Sequence, residues 1–298
     1  MNKSAIRPVV IASICGRNDN TPEFLRLINQ AASSRPDLIL LPESWQDTFE
    51  TLDSSMIQHL RKVARENHTY ILHPTQLLNS DGTATNTAIL IDRLGNIAGR
   101  YDKIYPYWSE PDCIIPGALH QAVLQCDFGK MAVFICFDAN FPEIWADAAK
   151  QGADLVVWPS AYGAGHQLQA HAFNHHYPIV TSTLEGYCMA FDIDGEPIVN
   201  VHSSKHYIQW IELDLDRCIF HENFNEEKLE QLLAEQPPRV EVEKHWRAEQ
   251  WIVVRSAQEG VSAKETCARA GMEELRAYKR RSCESIDARR IQYSAWKG

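Results

Sequence analysis

The sequence predicts a layered α/β sandwich with more antiparallel pairing than a doubly wound sheet, and three observations carry that reading. Apolar runs alternate with amphipathic stretches from residue 5 to about residue 215, the pattern of strands covered by helices. One run, DLILLPES (37–44), is nearly continuously apolar, as a strand buried on both faces is. Other runs come in pairs joined by Gly/Asn turns, as hairpins do.

In order, residues 5–13 read as a first strand. Thr21-Pro22-Glu23 reads as a helix start, with a capping hydroxyl, Pro at the first helical position and an acid in the first turn. Residues 37–44 follow as a strand. Residues 53–67 place Met56, Ile57, Leu60, Val63 and Ala64 on one helical face. Residues 70–78 are a strand, and 86–91 and 97–104 are strands around the turn DRLGN. Residues 123–126 and 131–135 flank a turn at Asp127-Phe128-Gly129-Lys130. A helix at 142–151 stops at Gly152. The strand ADLVVWPS (153–160), a helix near 166–176 and strands near 178–183, 186–193, 196–202 and 206–215 complete the body. Pro237-Pro238 marks its edge, so 1–238 reads as one domain. Residues 239–298 read as a C-terminal extension packing on it or on a partner subunit, since about 60 residues bury little core alone. In the extension, Ser262 and Glu265 have capping-box spacing, and 272–293 is charged, helix-compatible sequence.

Composition narrows the function. With 298 residues, 45% of them hydrophobic, the chain can bury a substantial core. A formal charge of −10 excludes a general nucleic-acid-binding surface, which needs clustered cations. Residues 239–298 alone carry 13 Lys or Arg against 9 Asp or Glu, a basic tail on an acidic body. The eight cysteines are scattered with no C-x-x-C pair, which reads as reduced and intracellular. No run reaches the roughly 18–20 apolar residues that span a bilayer. The apolar start, 9–14, is too short for a signal peptide and reads as a strand. A cytoplasmic enzyme with no membrane partner is expected.

Three polar residues stand where apolar strands end, the position at which clefts open in α/β folds. Glu43 ends DLILLPES, Lys103 lies in GRYDKIYP, and Cys136 ends MAVFIC before the next helix. Singly, such residues are usually an inert buried thiol and solvated loop charges. Together they are the parts that amide hydrolysis needs: a nucleophile, a base and a positive group at the developing oxyanion. A carboxylate can take the thiol proton and later activate water. An ammonium beside both favours the thiolate, and a helix N-terminus following Cys136 adds to that.

LLPES around Glu43, GRYDKIYPYWSEPD around Lys103 and ICFDANFPE around Cys136, in that order, resemble the nitrilase superfamily of carbon–nitrogen hydrolases over about residues 5–215. The resemblance implies a four-layer α-β-β-α sandwich whose subunits pair into a homodimer or larger homo-oligomer. It implies Glu43 as general base, Lys103 as oxyanion stabiliser and Cys136 as acylated nucleophile, with the backbone N–H of Phe137 as second oxyanion donor. Glu110, seven residues after Lys103, matches a second family glutamate that positions nucleophile or substrate. No metal or organic cofactor is implied. Cys-Phe-Asp is similar to the amidase and carbamylase branches, so a small amide or N-carbamoyl substrate is expected, with nitrile hydrolysis as the alternative.

Two stretches depart from the family pattern. Asn140 stands where an arginine usually precedes Phe-Pro-Glu, and His171-Ala172-Phe173-Asn174-His175 replaces Arg-Ala-x-Glu-Asn. Both departures replace charge with neutral or titrating groups, which predicts a rearranged pocket. They also leave open a non-catalytic binding protein that keeps the fold. His171 and His175 share a helix face but lack the acid of an H-E-x-x-H pattern, and packed histidines are the reading adopted. A metal-dependent phosphoesterase would leave Lys103 and Cys136 idle. Trp108, Trp158 and Tyr162 are the expected substrate-binding aromatics, with Trp45 and Tyr107 as further wall candidates.

Overall fold

The computed structural model describes residues 8–46, 48–110 and 112–294, within which one compact unit is Val9–Leu213 and another begins at Asp214. Residues 5–7 of the expected first strand lie outside the described residues. The larger unit begins with β1 (Val9–Cys15), α1 (Thr21–Ser33), β2 (Leu38–Leu40), β3 (Phe49–Glu50), α2 (Ser55–Asn67), β4 (Tyr70–Leu78), β5 (Ala84–Ile91) and β6 (Ile97–Asp102). It continues with β7 (Leu124–Cys126), β8 (Gly129–Val133), α3 (Pro142–Lys150), β9 (Leu155–Ser160), α4 (Gly165–His175), β10 (Ile179–Thr183), β11 (Tyr187–Phe191), β12 (Pro197–His202) and β13 (Tyr207–Leu213).

Two mixed sheets result, ordered β13-β1-β2-β4-β5-β6, with β3 beside β4, and β12-β11-β10-β9-β8-β7. In each, a parallel centre (β1-β2-β4; β8-β9-β10) is flanked by antiparallel strands. On the outside of the first sheet, α1 buries Phe24, Leu27, Ile28 and Ala31 at helical spacing, and α2 buries Ile57, Leu60 and Ala64. These side chains form one core with Ile39, Ile71 and Ile89 of the strands, each worth about 1.5–3 kcal/mol when fully buried. Ile144 and Trp145 of α3 and Leu168 and Ala172 of α4 are buried likewise, and Trp145 packs 4.5 Å from the ring of Phe134, just past β8. The sheets meet face to face at β1 and β10. There Ser13 Oγ donates to Thr181 O (2.7 Å) and Ser182 Oγ to Ile14 O (2.6 Å), so the hydroxyls buried between the layers are satisfied. This is the α-β-β-α sandwich that the sequence implied.

Parallel centres gather strand carboxyl ends on one edge of each sheet. Gly16 N–H donates to Thr183 O (3.1 Å), joining the end of β1 to the end of β10, so both sheets open on the same side. One local expectation shifts. The cap of α1 is Asn20, whose side chain accepts from Glu23 N (3.1 Å), and Thr21 is already helical.

The second unit contains β14 (Cys218–His221), α5 (Glu226–Leu233), β15 (Val240–Trp246), β16 (Trp251–Ser256), α6 (Ala263–Arg269) and α7 (Leu275–Ser294). Its sheet runs β14-β16-β15, over a core that includes Phe220, Leu229, Val254 and Cys267. Strands from both sides of Pro237-Pro238 enter this sheet, so the boundary drawn at 238/239 falls inside the unit. The extension is helical only from Ala263 onward. Ser262 caps α6 by accepting from Glu265 N (3.0 Å), but Asp216, not Glu265, completes the cap by accepting from Ser262 Oγ and Ala263 N (2.5 Å each).

Gly186, in the turn from β10 to β11, has φ +80°, and a Cβ there would lie 1.9 Å from Ser203 O. Gly186→Ala is expected to lower stability by at least about 1–3 kcal/mol, read as a fall in the urea midpoint. An unchanged midpoint would show that the turn has slack.

Candidate active site

Glu43, Lys103 and Cys136 follow β2, β6 and β8, and the fold brings the first two into direct contact. Lys103 Nζ donates to Glu43 Oε1 (2.7 Å) and to Glu110 Oε1 (2.5 Å), with Lys103 itself 1% exposed. Each carboxylate is held by further donors. Glu43 Oε2 accepts from Ala161 N (3.0 Å), just past β9, and Glu110 Oε1 accepts from Tyr107 N (2.8 Å). Asn86, on β5, spends its amide nitrogen on both carboxylates, 2.8 Å from Glu43 Oε1 and 3.1 Å from Glu110 Oε2. Its backbone O accepts from Lys103 N (2.7 Å). That orientation leaves Asn86 Oδ1 buried with no hydrogen-bond partner among the described residues. Turning the amide toward the carboxylates therefore has a cost, on the order of 1–3 kcal/mol for an unpaired buried acceptor.

Cys136 sits at φ +49°, in the left-handed region that non-glycine residues rarely adopt. It opens a short 3₁₀ turn, Cys136–Asn140, and α3 begins only at Pro142. The expected dipole of an α-helix starting at the nucleophile is thus corrected, because the chain makes a tight turn before the helix. Asp138 fixes that turn. Its carboxylate accepts from Ile135 N (2.9 Å), Tyr101 Oη (2.8 Å) and Tyr105 N (3.0 Å), tying the Cys136 loop to the Lys103 loop. Burial, opposed by these three donors, lifts the Asp138 carboxyl to about 7. Trp158 Nε1 donates to Cys136 O (3.1 Å).

Electrostatics sets the resting state. Burial opposes charge on Lys103, yet the charges of Glu43, Cys136 and Glu110 outweigh it, raising its pKa so that it remains an ammonium. Burial first, then the charge of Glu43, pushes the Cys136 thiol up to about 12; Lys103, Ser160 and the Ala161 N–H pull the other way and lose. The ammonium favours the thiolate, as expected, but burial and the charge of Glu43 outweigh it. Two carboxylates already face one ammonium, and a thiolate would add a second uncompensated charge in a buried site. A protonated thiol with a charged acceptor in its field is the arrangement of general-base activation.

The aromatic residues divide differently from expectation. Trp45 and Trp158 are fully buried core side chains, Trp45 packing on Phe24 and Trp158 behind Cys136. Trp108 is 83% exposed. Tyr162 is half-buried, 5.5 Å from the Trp158 ring, and the Cys136 charge contributes to raising its pKa, behind burial. Tyr107 packs on Phe137 (5.3 Å), the residue after Cys136. Asn140 donates to Phe137 O (3.0 Å) and accepts from Gln167 Nε2 (2.8 Å), while His171 Nε2 bonds Ala139 O (2.9 Å) and its ring stacks on Trp145 at 4.1 Å. The neutral replacements thus join α4 to the Cys136–Asn140 turn. His171 and His175 are ring neighbours 6.1 Å apart, and no His/Cys/Asp/Glu cluster suited to a metal occurs among the described residues. Asn86 and Asp138 were not assigned roles from sequence. The only signal for Asn86 was a polar triplet, Thr85-Asn86-Thr87, inside an otherwise apolar strand.

A family model described as carbon-nitrogen hydrolase matches residues 13–220. A citrullinase of Francisella tularensis is 29% identical over 182 residues, 54% of this chain and 63% of that protein. A nitrilase of Pyrococcus abyssi is 31% identical over 148 residues, covering 45% and 56%. The crystal structure of Saccharomyces cerevisiae Nit3, of the nitrilase superfamily, superposes with TM-score 0.61 at 18% identity, covering 78% of this chain and 97% of that one. The chain spans 53–63% of the length of three curated relatives it matches.

Asn86→Leu deletes two hydrogen bonds to charged acceptors. It is expected to lower stability by about 2–4 kcal/mol, measured by urea unfolding. A loss under about 0.5 kcal/mol would mean that the carboxylates hold their places without it.

Proposed function

The chain belongs to the carbon–nitrogen hydrolase family, and from that premise we propose that it hydrolyses a small amide or N-carbamoyl compound through a thioester on Cys136. The supporting observation is the buried Lys103 ammonium held between Glu43 and Glu110, with the Cys136 thiol in the fields of Lys103 and Glu43. Cys136 Sγ attacks the carboxamide carbon as its proton passes to Glu43. The carbonyl electron pair moves onto oxygen, where Lys103 and the Phe137 N–H stabilise it. Collapse of the tetrahedral adduct breaks the C–N bond, and the leaving amine takes the proton from Glu43. Water then attacks the thioester, giving a proton to the same carboxylate. The second collapse releases the acid and returns the proton to sulphur. Glu110 and Asn86 hold Lys103 and Glu43 in place throughout. Relatives named citrullinase and deaminated glutathione amidase fit a ureido or amide substrate, and relatives named nitrilase keep the nitrile as the second reading.

Incubation with a panel of short amides and N-carbamoyl compounds is expected to release ammonia, with an acyl adduct on Cys136 detected by intact mass. Cys136→Ala should abolish both, and Glu43→Gln should reduce turnover by at least about 100-fold. Ammonia release that survives Cys136→Ala would contradict the thioester.

A further inference from the structure

Beyond the triad, a cavity of about 650 Å³ opens at the carboxyl ends of β1 and β10, lined by Arg17, Asp19, Glu185, Tyr187 and His202 among others. Its size is that of a small-molecule site. One backbone hydrogen bond links its rim to the segment around Cys136. Glu185 N–H donates to Ala161 O (3.1 Å), and the N–H of the same Ala161 serves Glu43 and favours the Cys136 thiolate. In the sheet order, β9 alone separates β8, which leads to Cys136, from β10, which leads to Glu185, a span of about 10 Å for two strand spacings.

The walls of this cavity carry unspent charge. Asp19 is 3.6 Å from His206, whose ring packs on Phe24, so its charge has a neighbour. Tyr187 and His202 stack at 4.2 Å and make an aromatic wall. Among the described residues, the side chains of Arg17 and Glu185 have no ion-pair or hydrogen-bond partner. A purely anionic ligand would meet Glu185 with like charge, and a purely cationic one would meet Arg17. A ligand bearing both charges satisfies both side chains, the guanidinium taking the carboxylate in a bidentate fork.

We propose that this cavity is the far end of the substrate site and receives a zwitterionic α-amino-acid head, Arg17 pairing its carboxylate and Glu185 its ammonium. The carboxamide or ureido carbon, at the other end of a short chain, then reaches Cys136; this placement rests on Cys136 being the nucleophile. The substrate class is an ω-amide or ω-ureido amino acid.

Calorimetric titration of the Cys136→Ala protein separates binding from turnover. The ligands are L-glutamine, its analogues lacking the amine (glutaramic acid), the carboxylate (4-aminobutyramide) or both (butyramide), and L-citrulline as a longer zwitterion. At least one zwitterion is expected to bind tenfold or more tightly than either singly charged analogue, with butyramide weakest. Arg17→Ala should erase the advantage given by the carboxylate, and Glu185→Gln that given by the ammonium. Both side chains are exposed, so the variants keep the fold. Zwitterions that bind no better than butyramide, or tight binding untouched by both variants, would overturn the assignment. Cys136-dependent ammonia release from butyramide by wild-type protein, alongside such a result, would leave the nucleophile in place and remove only the subsite. The expected binding pattern without Cys136-dependent ammonia release from any of these compounds would keep the subsite and remove the nucleophile.

Discussion

The site depends on one fully buried ammonium. Removing Lys103 from water carries a penalty of several kcal/mol, which only close carboxylates and well-aimed donors can offset. Glu43 and Glu110 supply the charge, at 2.7 and 2.5 Å, while Asn86, Tyr107 N and Ala161 N occupy the carboxylates' remaining acceptor positions. The loops after β2, β6 and β9 and the middle of β5 are thereby fixed to one point. Taking away both carboxylates would strand a buried charge, and taking away either would leave donors unpaired, so the fold and the chemistry constrain the same residues.

The thiol's position follows from that clamp. With two carboxylates already facing one ammonium, the protonated thiol is the form the site tolerates at rest, and in the proposed reaction Glu43 becomes the acceptor when Cys136 attacks. The left-handed backbone at Cys136 and the three donors on Asp138 keep the sulphur at the edge where the parallel strands end. Gln167 and His171 brace the same turn from α4 with neutral hydrogen bonds, the first through Asn140. Charge lost from these positions is thus replaced by packing and hydrogen bonds.

Much of this was legible in the sequence because Glu43 and Cys136 each end an apolar run, LILLP and AVFI, and Lys103 follows a hairpin strand. Glu110 was legible from its distance to Lys103 within the family pattern. Asn86 was not, because a buried amide within a strand carries no periodic signature and its partners lie 43 and 24 residues away. The aromatic side chains were sorted poorly for a similar reason. Size and apolarity place Trp158 and Trp108 alike, while the fold buries the first against Cys136 and leaves the second in solvent. In the second unit the strand VEVEKHW is largely exposed along one edge of its sheet, so its charged alternation gave no strand signal at the sequence level.

The most direct test of the clamp is the rate of Cys136 alkylation from pH 6 to 9, with the exposed Cys113 and Cys283 as internal references. A thiol held near 12 should alkylate slowly at neutral pH and keep accelerating to the top of that range, with no plateau. Glu43→Gln removes the anion that disfavours the thiolate and should speed alkylation even as it stops hydrolysis, while Lys103→Met should slow it. A wild-type plateau below pH 8, or a profile indifferent to both substitutions, would contradict the coupling of Cys136 to the buried lysine and its carboxylates.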